Sequence, residues 1–321
     1  MLFRSRDTVS TTSRRAQDRQ VEHERRLPAP RTHRRGTRSN SVETSVGEPI
    51  AATFLNVADT DWTSAANREW IHAALASPPQ VIVDVLDTAE AIDRVVATAV
   101  ASGWPATPPS ERQRILRQAA DVMESERGAT LSLMAHEAAK TVGEGDAEVS
   151  EAIDFSRYYA HCIAGLNDGA ARGLRFDPLG VVVVASPWNF PYAIPAGGVL
   201  AALAAGNAVV LKPAPEVRQT ARLLVEHLWR AGVPTDALQY VACPDNDVGR
   251  RLVTHPDVGA VVLTGGLETA TRFLDWVDGT VSTDALTSKM PAWAGRQAAA
   301  ALEQVRRHLG NDAIPRPPEL P

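Results

Sequence analysis

The chain has 321 residues, 44% hydrophobic and 22% charged, which is the composition of an ordinary globular protein with room for one large or two ordinary domains. No stretch reaches the roughly 18 consecutive apolar residues of a membrane-spanning helix, and two cysteines, Cys162 and Cys243, build neither a disulfide framework nor a Cys-based zinc site. The net charge of −5 is uneven: residues 1–40 hold eleven Arg and four acidic groups, a net +7, so the remainder stands at −12 and is not expected to bind nucleic acid.

Sparse cysteine use makes a reducing compartment, the cytoplasm, the default expectation. Residues 1–45 read as a disordered Arg-rich tail without apolar periodicity. Asp7, Asp18, Glu22 and Glu24 argue against a mitochondrial-type presequence. A nucleic-acid arm stays open beside the plainer reading, a solvated tail or a stretch translated from a misassigned start.

From Asp61 onward helices are expected. Ala65–Ala76 has helix-forming composition. Thr88 is a candidate N-cap for 88–102, with Ile92, Val95, Val96 and Val100 on one face. Ser110 precedes a helix over 111–127 carrying Ile115, Leu116, Ala119, Val122 and Met123 at helical spacing. Residues 131–141 and 147–164 continue the pattern, and Val81–Val85 is the single strand candidate in this helical layer.

The texture changes near Arg175. Gly180–Ala185 reads GVVVVA, a fully apolar run expected of a parallel strand buried on both faces. A small-residue helix over 195–205 and a strand over 208–211 follow. Next come an amphipathic helix over 217–231 closed by Gly232 and Pro234, and a strand over 238–242. A short helix over 248–254, a strand over 260–264 and a helix running to about Trp276 complete the series. Four strands alternating with helices predict an open parallel sheet with helices on both faces, a Rossmann-like α/β architecture. Beyond Asp278 the regularity fails: 279–294 has no apolar period, 297–309 could form one helix, and 314–321 is half proline. The expected division is a tail over 1–45, an α/β domain of nucleotide-binding architecture over 46–278 and a divergent or frame-disrupted tail over 279–321.

Ligands of such sheets bind beyond the carboxyl ends of the strands. The first strand is followed by Ser186-Pro187-Trp188-Asn189-Phe190-Pro191, the second ends in Lys212-Pro213, and the fourth ends in Thr264-Gly265-Gly266 before a helix. Asn189 on a proline-flanked turn is a rigid neutral donor suited to an oxyanion. Lys212 is a point donor to ribose hydroxyls or phosphate. A glycine pair at a helix N-terminus lets backbone amides approach a phosphate. Each alone reads as an ordinary turn, loop or solvated lysine; all three at successive strand ends of one βαβ array are much harder to dismiss. The chain holds only three lysines (Lys140, Lys212 and Lys289) against thirty arginines, a skew that reads as coding bias.

The motifs SPWNFP, GNAVVLKPA and HPDVGAVVLTGG, in that order, resemble the aldehyde dehydrogenase superfamily. The stretches DTDWTSAANREWI (59–71), MAHEAAKTVGEGDAEVSEAIDFSRYYA (134–160) and CPDNDVGRRLVTHPDV (243–258) look like the L-glutamate γ-semialdehyde (1-pyrroline-5-carboxylate) dehydrogenases of proline catabolism. The resemblance covers about residues 45–276. It implies a small-molecule aldehyde substrate and NAD or NADP as cofactor, with hydride passing from a thiohemiacetal to nicotinamide. It implies that Asn189 donates to the tetrahedral oxygen, that Lys212 binds the adenine ribose, that Gly265 and Gly266 turn over the pyrophosphate, and that Ser186, Pro187 and Trp188 lie along the nicotinamide end. No metal and no membrane contact are implied.

Three departures stand out. The family places an acid three residues after the lysine; here that position is Pro215, with Glu216 one later, so NAD and NADP both stay open. The glycine turn closes on Ala270 where a glycine is usual. The family's Cys nucleophile and Glu base follow the glycine turn, yet no Cys occurs after Cys243, and Leu286-Thr287-Ser288-Lys289 is only a faint echo of the Glu segment. Cys162 reads as packing, and Cys243 as a poor substitute because it precedes the glycine turn. The expectation is a C-terminally truncated aldehyde dehydrogenase fold without its catalytic domain and oligomerisation strands. It would be inactive in turnover, its oligomeric state open and its sheet exposing apolar surface.

Overall fold

The computed structural model describes residues 55–278 apart from 172, 174 and 175. The expected tails over 1–45 and 279–321, with the helix over 297–309 and the echo at Leu286–Lys289, lie outside the described residues.

Four β-strands form the centre: β1 Val181–Ala185, β2 Ala208–Lys212, β3 Leu238–Tyr240 and β4 Val258–Leu263. All pairings are parallel and the spatial order is β3-β2-β1-β4. β1 and β2 are buried at every position, as their unbroken apolar runs require. Val181 pairs with Ala208 and Val183 with Val210, so these four share one face. Ile92, Val96 and Ala99 of helix α2 (Ala89–Val100) cover them. Val182, Val184, Val209 and Leu211 point to the other face, against α6 (Ala193–Ala204) and α7 (Arg218–Arg230). The alternation along two short strands thus gives helices on both faces.

Behind α6 lies a helical layer of α1 (Ala65–Leu75), α3 (Pro109–Ser125), α4 (Arg127–Ala138) and α5 (Val142–Ala171). Ile115, Leu116, Ala119, Val122 and Met123 of α3 are all buried in it, as their spacing predicts. Buried charge ties the layer together: Arg127 donates to Asp146 (2.7 Å) and to Ser150 Oγ (3.0 Å), and Asp146 also accepts from Thr60 N (2.7 Å). A short helix α8 (Asp247–Val253) precedes β4. Residues 55–266 belong to one compact unit. The last described helix, α9 (Leu267–Asp278), belongs to a second; within it Phe273 stacks on Trp276 at 5.0 Å between centroids.

Several expectations need correction. Val81–Val85 is not a strand; only Val85 bridges to Ala242, with Leu86 N donating to the Ala242 carbonyl at 2.8 Å. Thr88 does cap α2 through Ala91 N at 3.2 Å, but Ala99 takes the buried position given to Val100, which is 54% exposed. Ser110 lies inside α3, which starts at Pro109 because proline loses no helix bond in a first turn. Arg127, expected to end α3, begins α4. Gly232, at φ 107°, closes α7 as expected.

β1 and β4 carry one irregularity. Val181 pairs with Val258 but Val182 pairs with Ala260, so Gly259 is an extra residue, a β-bulge. A Cβ on Gly259 would lie 1.9 Å from the Leu179 carbonyl oxygen, an approach that only glycine permits.

Candidate functional site at the carboxyl edge of the sheet

The order β3-β2-β1-β4 reverses direction between β1 and β4, and crevices at such switch points are where parallel sheets hold ligands. The predicted residues follow these strands. Ser186 N donates to the Lys212 carbonyl at 3.1 Å, and Thr264 N donates to the Ala185 carbonyl at 3.0 Å. The ends of β1, β2 and β4 are therefore pinned side by side.

Ser186 is buried, and its Oγ finds no hydrogen-bond partner. Trp188, Asn189 and Phe190 are exposed on the loop that follows. Gly265 and Gly266 are exposed after β4, and a Cβ on Gly266 would meet no atom within 4 Å. Packing does not demand a glycine there.

The Asn189 loop is held from beneath by two residues that motif reading missed. Lys140, just beyond α4, donates through Nζ to the Asn189 carbonyl at 3.0 Å and sits 4.4 Å from the Phe190 ring centroid. The same ammonium pairs with Glu148 Oε2 at 2.6 Å. Glu148, on α5, is fully buried, and its Oε1 accepts from Tyr192 N (2.7 Å) and Ala193 N (3.0 Å). A carboxylate thus caps the first amides of α6, where the helix dipole favours negative charge. Tyr192 is anchored at its other end, its hydroxyl 2.7 Å from His227 Nδ1. Burial pulls His227 down to about 3, so the ring is neutral, and burial pushes the Tyr192 phenol well up. The arrangement fixes the loop from Ser186 to Ala193 at both ends.

Lys212 is the last residue of β2, its side chain only 5% exposed. Its Nζ lies 2.5 Å from Asp245 Oδ1, and Asp245 is 32% exposed. Asp245 is the third residue missed. Lysine scarcity was the available signal: two of three lysines lie at this edge, in a chain that otherwise uses arginine.

Neither cysteine is set up as a nucleophile. Cys243 is 2% exposed and burial pushes its thiol up, an effect that Lys212 opposes and Asp245 reinforces. Cys162 is half-buried, and burial raises it too. Thiolate character needs the opposite environment. Among the described residues no three His, Cys, Asp or Glu side chains are grouped to hold a metal ion, and no helix is long and apolar enough to cross a membrane.

The donor set suits an anionic, hydroxyl-rich ligand: one ammonium, one unpartnered buried hydroxyl, an exposed amide and an open glycine turn. A dinucleotide fits that description.

A model of the aldehyde dehydrogenase family matches residues 62–283. The bifunctional protein PutA of Klebsiella aerogenes is 36% identical over 264 residues, covering 77% of this chain and 20% of that protein. A 1-pyrroline-5-carboxylate dehydrogenase of Anoxybacillus flavithermus is 39% identical over 187 residues, covering 56% of this chain and 36% of that protein. Among solved structures, proline utilization A of Corynebacterium freiburgense superposes with a TM-score of 0.65 at 44% identity, covering 70% of this chain and 23% of that one. The chain thus spans between a fifth and about a third of the length of these relatives.

Proposed function

The chain belongs to the aldehyde dehydrogenase family, and on that premise we propose that it is the dinucleotide-binding part of an L-glutamate γ-semialdehyde dehydrogenase, holding NAD+ or NADP+ without oxidising aldehyde by itself. The observation that carries the reading is the edge formed by β1 and β2. There the buried, unpartnered Ser186 Oγ stands beside the strand end that bears the Lys212 ammonium.

When bound, the cofactor supplies a hydride acceptor. The protein's own contributions are separate. Lys212 donates to hydroxyls or phosphate of the nucleotide. Ser186 offers a hydroxyl, and Pro187 and Trp188 give the loop a stiff wall. Gly265 and Gly266 let backbone amides approach a pyrophosphate. The Asn189 amide is the oxyanion donor, kept in place through the Lys140 contact to its carbonyl. Stabilising an oxyanion in this way is worth on the order of 100-fold in rate or more, but only once a nucleophile has attacked.

That nucleophile is what these residues lack. No cysteine follows Cys243, and Cys243 is buried with a raised thiol. The named PutA and 1-pyrroline-5-carboxylate dehydrogenase relatives support the choice of aldehyde. The test is reduction of NAD+ by the purified chain with L-glutamate γ-semialdehyde. No reduction is expected from the wild type, and Cys243→Ala changes nothing. Turnover that Cys243→Ala abolishes would overturn the non-catalytic reading.

A further inference from the structure

The acid that would normally select between NAD and NADP has no counterpart at Pro215, and Glu216 is exposed on the short 3-10 turn Pro215–Val217. Another carboxylate does reach the lysine. Asp245 arrives from the loop after β3 and pairs with Lys212 Nζ at 2.5 Å. The two side chains differ in access: that of Lys212 is 5% exposed and that of Asp245 32%. An ammonium has three donors, and this contact engages one. The pair therefore presents a donor and an acceptor side by side, the pattern that two vicinal ribose hydroxyls match.

Resting on the dinucleotide reading above, we propose that Asp245 is the specificity-determining carboxylate of this site, accepting from the adenosine ribose hydroxyls and turning away a 2′-phosphate. An acid against the ribose 2′-hydroxyl selects NAD, whereas a nearby arginine accommodates the phosphate of NADP. Here the ammonium is already neutralised by Asp245, so a phosphate of nearly two negative charges meets no net attraction from the pair. The Arg218 guanidinium opposes Asp245. Arg218 acts on the same neighbourhood, since its charge, like those of Lys212 and Asp245, bears on the Cys243 thiol. Gly249 leaves room for the pair: a Cβ there would stand 2.7 Å from the Pro244 carbonyl oxygen and 3.8 Å from Lys212 Cε.

The experiment is equilibrium titration of the full chain with NAD+ and with NADP+ by calorimetry, for wild type, Asp245→Asn and Glu216→Gln, with folding checked by circular dichroism. Wild type is expected to bind NAD+ more tightly. Asp245→Asn is expected to weaken NAD+ about tenfold, the loss of one charge-assisted hydrogen bond, and to tighten NADP+. Glu216→Gln is expected to leave the ratio within about twofold, as an exposed charge should. A ratio unmoved by Asp245→Asn, or moved only by Glu216→Gln, overturns the inference while the dinucleotide reading survives. A wild type that prefers NADP+ overturns it without any variant. A folded wild type that binds neither overturns both.

Discussion

Removing Lys140 tests the support of the Asn189 loop in a quantitative way. Lys140→Met keeps the aliphatic stem but withdraws the countercharge from Glu148, whose side chain is fully buried. It also removes the donor to the Asn189 carbonyl and the cation over Phe190. Breaking a buried ion pair from one side costs about 3–5 kcal/mol. Two backbone amides still reach Glu148 Oε1 at 2.7 and 3.0 Å, and Lys140 keeps 11% exposure. Those donors place the expected loss at the lower end, about 2–4 kcal/mol. Glu148→Gln retains an acceptor for both amides, so it is expected to cost less, about 1–2 kcal/mol. The double variant should then show a coupling of about 1–3 kcal/mol. Urea unfolding of the full chain measures all three, provided the slope with denaturant stays constant across them. A loss under about 0.5 kcal/mol for Lys140→Met, the size of an ordinary surface pair, would refute the claim that this pair holds the loop.

Further outcomes follow from single positions. Gly259→Ala drives a Cβ to within 1.9 Å of a backbone carbonyl in the β1–β4 bulge, so thermal unfolding should show a loss on the order of 3 kcal/mol or more. Gly266→Ala meets no atom within 4 Å, so it should cost no more than about 0.5 kcal/mol in the same scan while weakening NAD+ binding in calorimetry. His227 is held near 3 in the folded chain against 6.5 for a free imidazole. Stability is therefore complete above pH 6.5 and falls as the pH drops from there toward 3. The slope is about 1.4 kcal/mol per pH unit at most. His227→Gln should remove that portion of the acid sensitivity in unfolding curves taken across that window, and an unchanged curve would rule it out.

The sheet was legible because β1 and β2 are buried on both faces, and an unbroken GVVVVA or AVVL admits few other solutions. Their order was not legible, since four short parallel strands are compatible with several arrangements until the pairing is known. The helix faces were read correctly wherever long side chains set the period, as in α3. They failed at Val100, where Ala99 and Val100 both satisfy the spacing and only the angle of α2 on the sheet decides. The boundary at Ser110 was misplaced because proline at a first-turn position outweighed the serine cap. The candidate residues Ser186, Asn189 and Lys212 could be nominated from the sequence because local motifs carry them. Lys140, Glu148 and Asp245 were not, because their partners lie 49, 44 and 33 residues away and no local pattern announces them.

Calorimetric titration of the full chain with NAD+ tests the central claim most directly. The account predicts saturable binding that Lys212→Met abolishes while the variant remains folded by circular dichroism. A folded wild-type chain that takes up neither NAD+ nor NADP+, or binding that Lys212→Met leaves intact, would contradict it.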